Sequence, residues 1–243
     1  MKKVLVATKT RRHSAVIWNG VRNALGVPGI AVFSSMLGFG ALAESNGLNL
    51  LVAVSVTLGV WALPGQIVLV DLYPSGSLAA LFFAVLFVNA RFFPLALATL
   101  PLVKGAEPFR ALHLLYAHLL SVISWSHMTT CAPKIEESKR PVYFVSFTIT
   151  VLTLAVIATI IGYLAAGKVP YHFNSALLII PTIYLLLLAA NASTFLPVVA
   201  VFFGGGAVVA IDLSLPGWGL VLGGFVGGTL AFLLGLRLER RSE

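Results

Sequence analysis

Arg91 lies at the fifteenth position of an apolar stretch, 77–100, with Asn89 just before it and Pro94 just after. If that stretch crosses a bilayer, the guanidinium sits near mid-depth, where an arginine costs about 2.5–3.5 kcal/mol on insertion scales. The eight acids are Glu44, Asp71, Glu107, Glu136, Glu137, Asp212, Glu239 and Glu243, and none falls at a matching depth. Two readings of Arg91 stand. In one it snorkels to an interface or bonds to carbonyls freed by Pro94, helped by Asn89. In the other, favoured because charges at such depth are rare without a role, it lines a water-filled cavity and meets the carboxylate of a solute.

A second group is Ala62-Leu63-Pro64-Gly65-Gln66 in the preceding apolar stretch. Pro64 removes a backbone donor and Gly65 loosens the helix, so a crossing is expected to break there and expose backbone polar groups. Gln66 then points a donor and an acceptor into the same cavity, or bonds to a neighbouring helix beside an ordinary kink. In the stretch 112–132, helical spacing puts His118, Ser121, Trp125 and Thr129 on one face and His113 and His127 roughly opposite. Such a stripe suits a solute path, with His118 and Ser121 as a proton relay, or plain hydrogen bonding between helices.

These groups need elements to hold them, and composition says which. Of 243 residues, 59% are hydrophobic and 10% charged, against about a quarter charged in a soluble domain. Eight apolar stretches, 26–43, 48–73, 77–100, 112–132, 142–166, 174–190, 197–211 and 217–236, predict an all-α polytopic membrane protein. The expected count is 7–8 transmembrane helices, some broken by proline or glycine at mid-membrane. The stretches 174–190 and 197–211 are short, and one re-entrant pair is the alternative. Strand barrels alternate apolar and polar residues over about ten positions, and no segment does so.

With the amino terminus cytoplasmic, twelve lysines and arginines fall inside and three, Lys104, Arg110 and Lys168, outside. That bias places both termini in the cytoplasm. The net charge of +8 is therefore read as a topology signal facing anionic lipid, not as a nucleic-acid surface. Three regions are expected: a basic interfacial segment 1–25 carrying Trp18 and Arg22, a single transmembrane domain 26–236, and a cytoplasmic tail 237–243. A cleaved signal peptide is disfavoured by the length and the glycines of the first apolar run. The lone Cys131 permits no intrachain disulfide and no cysteine-based metal set. Gly223, Gly224, Gly227 and Gly228 form small-residue patterns that let helices approach closely.

In order and spacing, Gly38-Phe39-Gly40, Ala62 with Gln66, Asn89-Ala90-Arg91, Ile180-Pro181-Thr182-Ile183-Tyr184 and a glycine-rich last span resemble the AzlC family. These are the large subunits of bacterial branched-chain amino acid exporters, and the resemblance runs over residues 20–236. It implies proton-driven export of valine, leucine and isoleucine with a small AzlD-type membrane subunit as partner. Gln66, Asn89 and Arg91 match the polar intramembrane residues of the family. Two positions depart: Phe92 stands where the family usually has histidine, and Leu119 to Ser126 lacks its usual Thr-Asp-Glu element. The proton then falls to His118 and nearby hydroxyls, or the solute differs.

The expectation is thus a permease of the bacterial cytoplasmic (inner) membrane exporting small amino acids by alternating access. It is no enzyme and holds no cofactor or metal. Arg91 holds the carboxylate, Gln66 and Asn89 bond the solute, and Pro64 and Gly65 open the site. The rivals are a membrane-embedded enzyme or redox subunit using the histidines, and a scaffold subunit that transports nothing.

Overall fold

The computed structural model describes residues 14–75, 77–104, 111–166, 196–214 and 219–242. Every regular element among them is helical. This agrees with the all-α expectation, because apolar chains in lipid satisfy their backbone groups within each helix. The chain divides into two compact units, Met1–Leu178 and Ile179–Glu243.

In the first unit, residues 14–24 form α1 and lead directly into α2, Val27–Ser45. Next come α3 (Leu50–Gly59), α4 (Leu63–Leu72), α5 (Leu78–Asn89), α6 (Phe92–Lys104), α7 (Leu112–His118), α8 (Val122–Cys131) and α9 (Arg140–Ala165). Among the described residues, α2 and the segment Glu137–Ala165 are long and apolar enough to cross a bilayer. α5 and α6 would make a third span if counted together across their 50° bend.

The core is the pairing of α2 with α9. A Cβ on Gly40 would strike the Thr159 carbonyl oxygen, and one on Gly162 the Leu37 carbonyl oxygen. Two helices can approach to backbone contact only where neither carries a side chain at the crossing. Phe39, Phe147, Val151 and Ala155 fill the space beside that contact and are buried. The loop after α2 is tied down twice: Asn49 caps α3 through the Leu51 amide, and the Tyr163 hydroxyl donates to the Leu48 carbonyl at 2.8 Å.

α1 turns Val16, Gly20, Asn23 and Ala24 inward and leaves Ile17, Trp18 and Arg22 exposed. Asn23 Nδ2 donates to the Tyr143 hydroxyl at 2.7 Å, tethering α1 to the first turn of α9. That one-sided burial is the pattern of a helix laid along a surface. Residues 1–13 lie outside the described residues.

The stretch 112–132 departs from its expectation of one continuous helix. It divides at Leu119–Ser121 into α7 and α8. No proline or glycine is responsible. Ser121 leaves the helical region with φ −133° and ψ 166°, and its hydroxyl accepts from the Ser124 amide while the Ser124 hydroxyl accepts from the Ser121 amide. This reciprocal cap starts a new helix. The stretch 77–100 also extends differently: its second helix runs on to Lys104, with Pro101 inside it.

The second unit holds α10, Leu196–Ser214, packed on α11, Gly219–Ser242. Gly227 lies against the Gly204 backbone, and a Cβ on Gly223 would meet Val208. Gly204, Gly223 and Gly227 therefore serve close packing, whereas Gly224 and Gly228, expected to do the same, meet nothing within 4 Å among the described residues. α11 continues through residues expected to be tail. The stretch 174–190 and the Ile180–Tyr184 element lie outside the described residues.

Candidate functional site

Three pairs of helices are interrupted in the first unit, and their interruptions meet. Between α3 and α4 the chain passes through Trp61, with φ +48°, and Ala62, which is extended. A left-handed tryptophan is strained and persists only where its surroundings hold it. Here Trp61 is buried, and its Nε1 donates to the Leu119 carbonyl at 3.3 Å, inside the break between α7 and α8. Pro64 sits in the first turn of α4, where a missing N–H costs nothing. The break expected at Pro64-Gly65 thus falls just before them.

The break between α5 and α6 brings Asn89 onto the same spot. A Cβ on Gly65 would stand 2.7 Å from both polar atoms of the Asn89 amide, so Gly65 is what lets Asn89 lie across the first turn of α4. His118, the last residue of α7, reaches back from the third break. Its Nε2 lies 3.0 Å from the Leu58 carbonyl oxygen.

Gln66 follows Gly65 and is fully buried. Its Nε2 donates to Thr57 Oγ1 at 3.2 Å, and Thr57 Oγ1 lies 3.0 Å from Thr159 Oγ1. Thr57 Oγ1 also donates to the Ala53 carbonyl at 3.1 Å. This chain fastens α4 to α3 and α9, yet it leaves one oxygen over. Gln66 Oε1 and Asn89 Oδ1 are both buried with no hydrogen-bond partner among the described residues. Buried acceptors are nearly always satisfied, so two such oxygens on adjoining turns need a donor from elsewhere.

Two cavities adjoin these groups. A groove of about 430 Å³ has mostly apolar walls, among them Leu69, Leu78, Phe82, Val85 and Leu86. A smaller cavity of about 160 Å³ is lined by Val60, Trp61, Asn89, Phe92, Ala117, His118 and Leu120. Val60 and Asn89 line both, so Asn89 stands between an apolar slot and a more polar chamber.

Of the residues singled out from sequence, Pro64, Gly65, Gln66 and Asn89 are thus brought together, and His118 joins them across the smaller cavity. Arg91 is placed differently. It is exposed at the bend, with its Cζ 5.5 Å from the centre of the Phe92 ring, and it lines neither cavity. Among the described residues no acid pairs with it; the ion pair found there joins Lys139 to Glu136. Ser121 is not brought onto a common helical face with His118, because the chain breaks between them and its hydroxyl caps α8. His127 goes elsewhere, stacked on Phe147 at 4.2 Å with its Nε2 2.7 Å from the Tyr143 hydroxyl. Thr57, Thr159 and Trp61 were missed in the sequence reading. Thr57 bonds back to Ala53 of its own helix, and such a threonine leaves no mark in an apolar run. Trp61 gave only one signal, its place just before Pro64.

Apolar helices interrupted around enclosed polar groups put the chain in the class of membrane proteins. The family model described as AzlC protein matches residues 29–169, more than half of the chain, and the chain belongs to the AzlC family. That is a transporter family, associated with branched-chain amino acid transport, and not an enzyme family. The matched span contains all three breaks and both unsatisfied amides. No curated protein and no solved structure matches the chain.

Proposed function

We propose that this protein is an inner-membrane permease that exports branched-chain amino acids by alternating access, driven by the proton gradient. The observation that carries the reading is the pair of unpartnered buried oxygens, Gln66 Oε1 and Asn89 Oδ1, at the meeting of three helix breaks. An amino acid brings what they lack, an ammonium group with three N–H donors. Its carboxylate goes to Arg91, whose flexible side chain leaves the Phe92 face and whose charge no described acid neutralises. Its branched side chain goes to the apolar slot beside Asn89.

Both oxygens are enclosed, so the solute reaches them when the first turn of α4 parts from the end of α5. Helices already broken at Trp61–Ala62 and Ala90–Arg91 bend there at little further cost. Both termini lie in the cytoplasm, and a small AzlD-type membrane subunit completes the transporter. The histidine-based enzyme gains nothing from the geometry, since His118 and His127 have separate partners on different elements.

The test is efflux from cells that lack other branched-chain exporters and are fed a leucine-containing dipeptide. Cells expressing the protein with its small subunit are expected to release leucine at least about tenfold faster than cells expressing neither. Equal release, with the protein present in the membrane, would refute the reading.

A further inference from the structure

Among the described residues lining the chamber beside Asn89, His118 is the side chain that can take up a proton, and its hydrogen-bond partner fixes which ring nitrogen is free to do so. Leu58 offers His118 a backbone carbonyl, which only accepts. The ring nitrogen facing it, Nε2, must therefore carry hydrogen, and in the neutral ring Nδ1 is left with a lone pair. Nδ1 has no partner among the described residues, and His118 lines the cavity.

The groups around it are few. α3 contributes the Leu58 carbonyl, the α3–α4 break Val60 and Trp61, α5 Asn89, α6 Phe92, and the α7 end Ala117 and Leu120. None of these titrates. Arg91 lies over Phe92, which lines the same cavity.

We propose that His118 Nδ1 is the proton-binding atom of the transport site, and that a proton there and the ammonium of the solute exclude one another. This rests on the proposed export of amino acids through the same site. The proton from water adds to the Nδ1 lone pair, while Nε2 keeps its hydrogen and its bond to Leu58; release regenerates the same neutral tautomer. With the solute carboxylate paired to Arg91, the ammonium at Asn89 is the charge that faces the imidazole across a cavity of about 160 Å³. Two cations facing one another across a cavity of that size repel. One leaves as the other enters, which is the exchange that an antiporter needs. The relay partner expected from sequence, Ser121, drops out because its hydroxyl is committed to the α8 cap.

The experiment uses protein with its small subunit in lipid nanodiscs and in proteoliposomes. Nitrogen-15 NMR of labelled histidines, assigned by loss of one signal in His118→Gln, is expected to show Nε2 protonated and Nδ1 bare at alkaline pH. Leucine is expected to lower the pH at which that signal titrates. The dissociation constant for leucine should rise about tenfold per pH unit where the ring is protonated and stay flat where it is neutral. In His118→Gln it should stay flat throughout, and a leucine gradient should no longer move protons. Nδ1 protonated in the neutral ring, a titration that ignores leucine, or a variant that moves protons as the parent does would each overturn the inference. A variant that binds no leucine at any pH would also overturn it, by showing a structural role. Absence of leucine binding in the parent protein would instead remove the proposed substrate.

Discussion

Gln66→Leu is expected to weaken leucine export by about 10- to 150-fold while leaving the protein as stable as before, or more so. Leucine has nearly the volume of glutamine and no polar atoms. The substitution removes an oxygen that is buried without a partner, and such an atom costs about 1–3 kcal/mol to bury. It also removes one hydrogen bond, to Thr57, but Thr57 keeps its bonds to Thr159 and to the Ala53 carbonyl. The two changes roughly cancel, so unfolding temperature should hold or rise. Export should not hold. A hydrogen bond from an ammonium is worth about 1.5–3 kcal/mol, a loss of about 10- to 150-fold in affinity. Efflux from dipeptide-fed cells and thermal unfolding in detergent read the two effects separately. A fall in both would mark Gln66 as a structural residue, and export unchanged would take it out of the site.

Arg91→Ala carries the second large effect. The guanidinium sits at the bend between α5 and α6 and has no acidic partner among the described residues, so removing it strands no carboxylate. Its loss relieves a charge that is costly to insert, and the protein is expected to accumulate at least as well as its parent. Without it the solute carboxylate would enter an apolar site unpaired, at a cost of about 2–5 kcal/mol, which is about 30-fold or more in leucine export. Arg91→Lys keeps the charge but not the planar fork, so it should recover part of the activity and less than all of it. Efflux measured at matched membrane levels distinguishes the three proteins. Unchanged efflux from the alanine variant would separate Arg91 from the solute.

The sequence made part of this visible. Apolar runs announced helices, and Pro64-Gly65 announced the break before α4. Gln66 and Asn89 stood out because polar side chains are rare in such runs. The break at Leu119–Ser121 was hidden, because it is made by a serine cap and not by proline or glycine. Apolar runs show no clear polar face, so periodicity could not tell which side of α3 would meet Gln66. The partnership of Thr57 with Thr159, 102 residues apart, belongs to tertiary packing alone. For Arg91 the sequence left two places open, an interface and a cavity wall. The bend between α5 and α6 leaves it exposed beside Phe92.

The central claim is that one site reads both ends of an amino acid. Competition against radiolabelled L-leucine on the purified protein with its small subunit tests it most directly. Valine and isoleucine should displace the label. Leucinol, which lacks the carboxylate, and 4-methylpentanoate, which lacks the ammonium, should each compete at least about 30-fold more weakly, the equivalent of about 2 kcal/mol for a lost charged contact. If 4-methylpentanoate displaced leucine as well as valine does, the two oxygens would have no ammonium to bind, and the account would be contradicted.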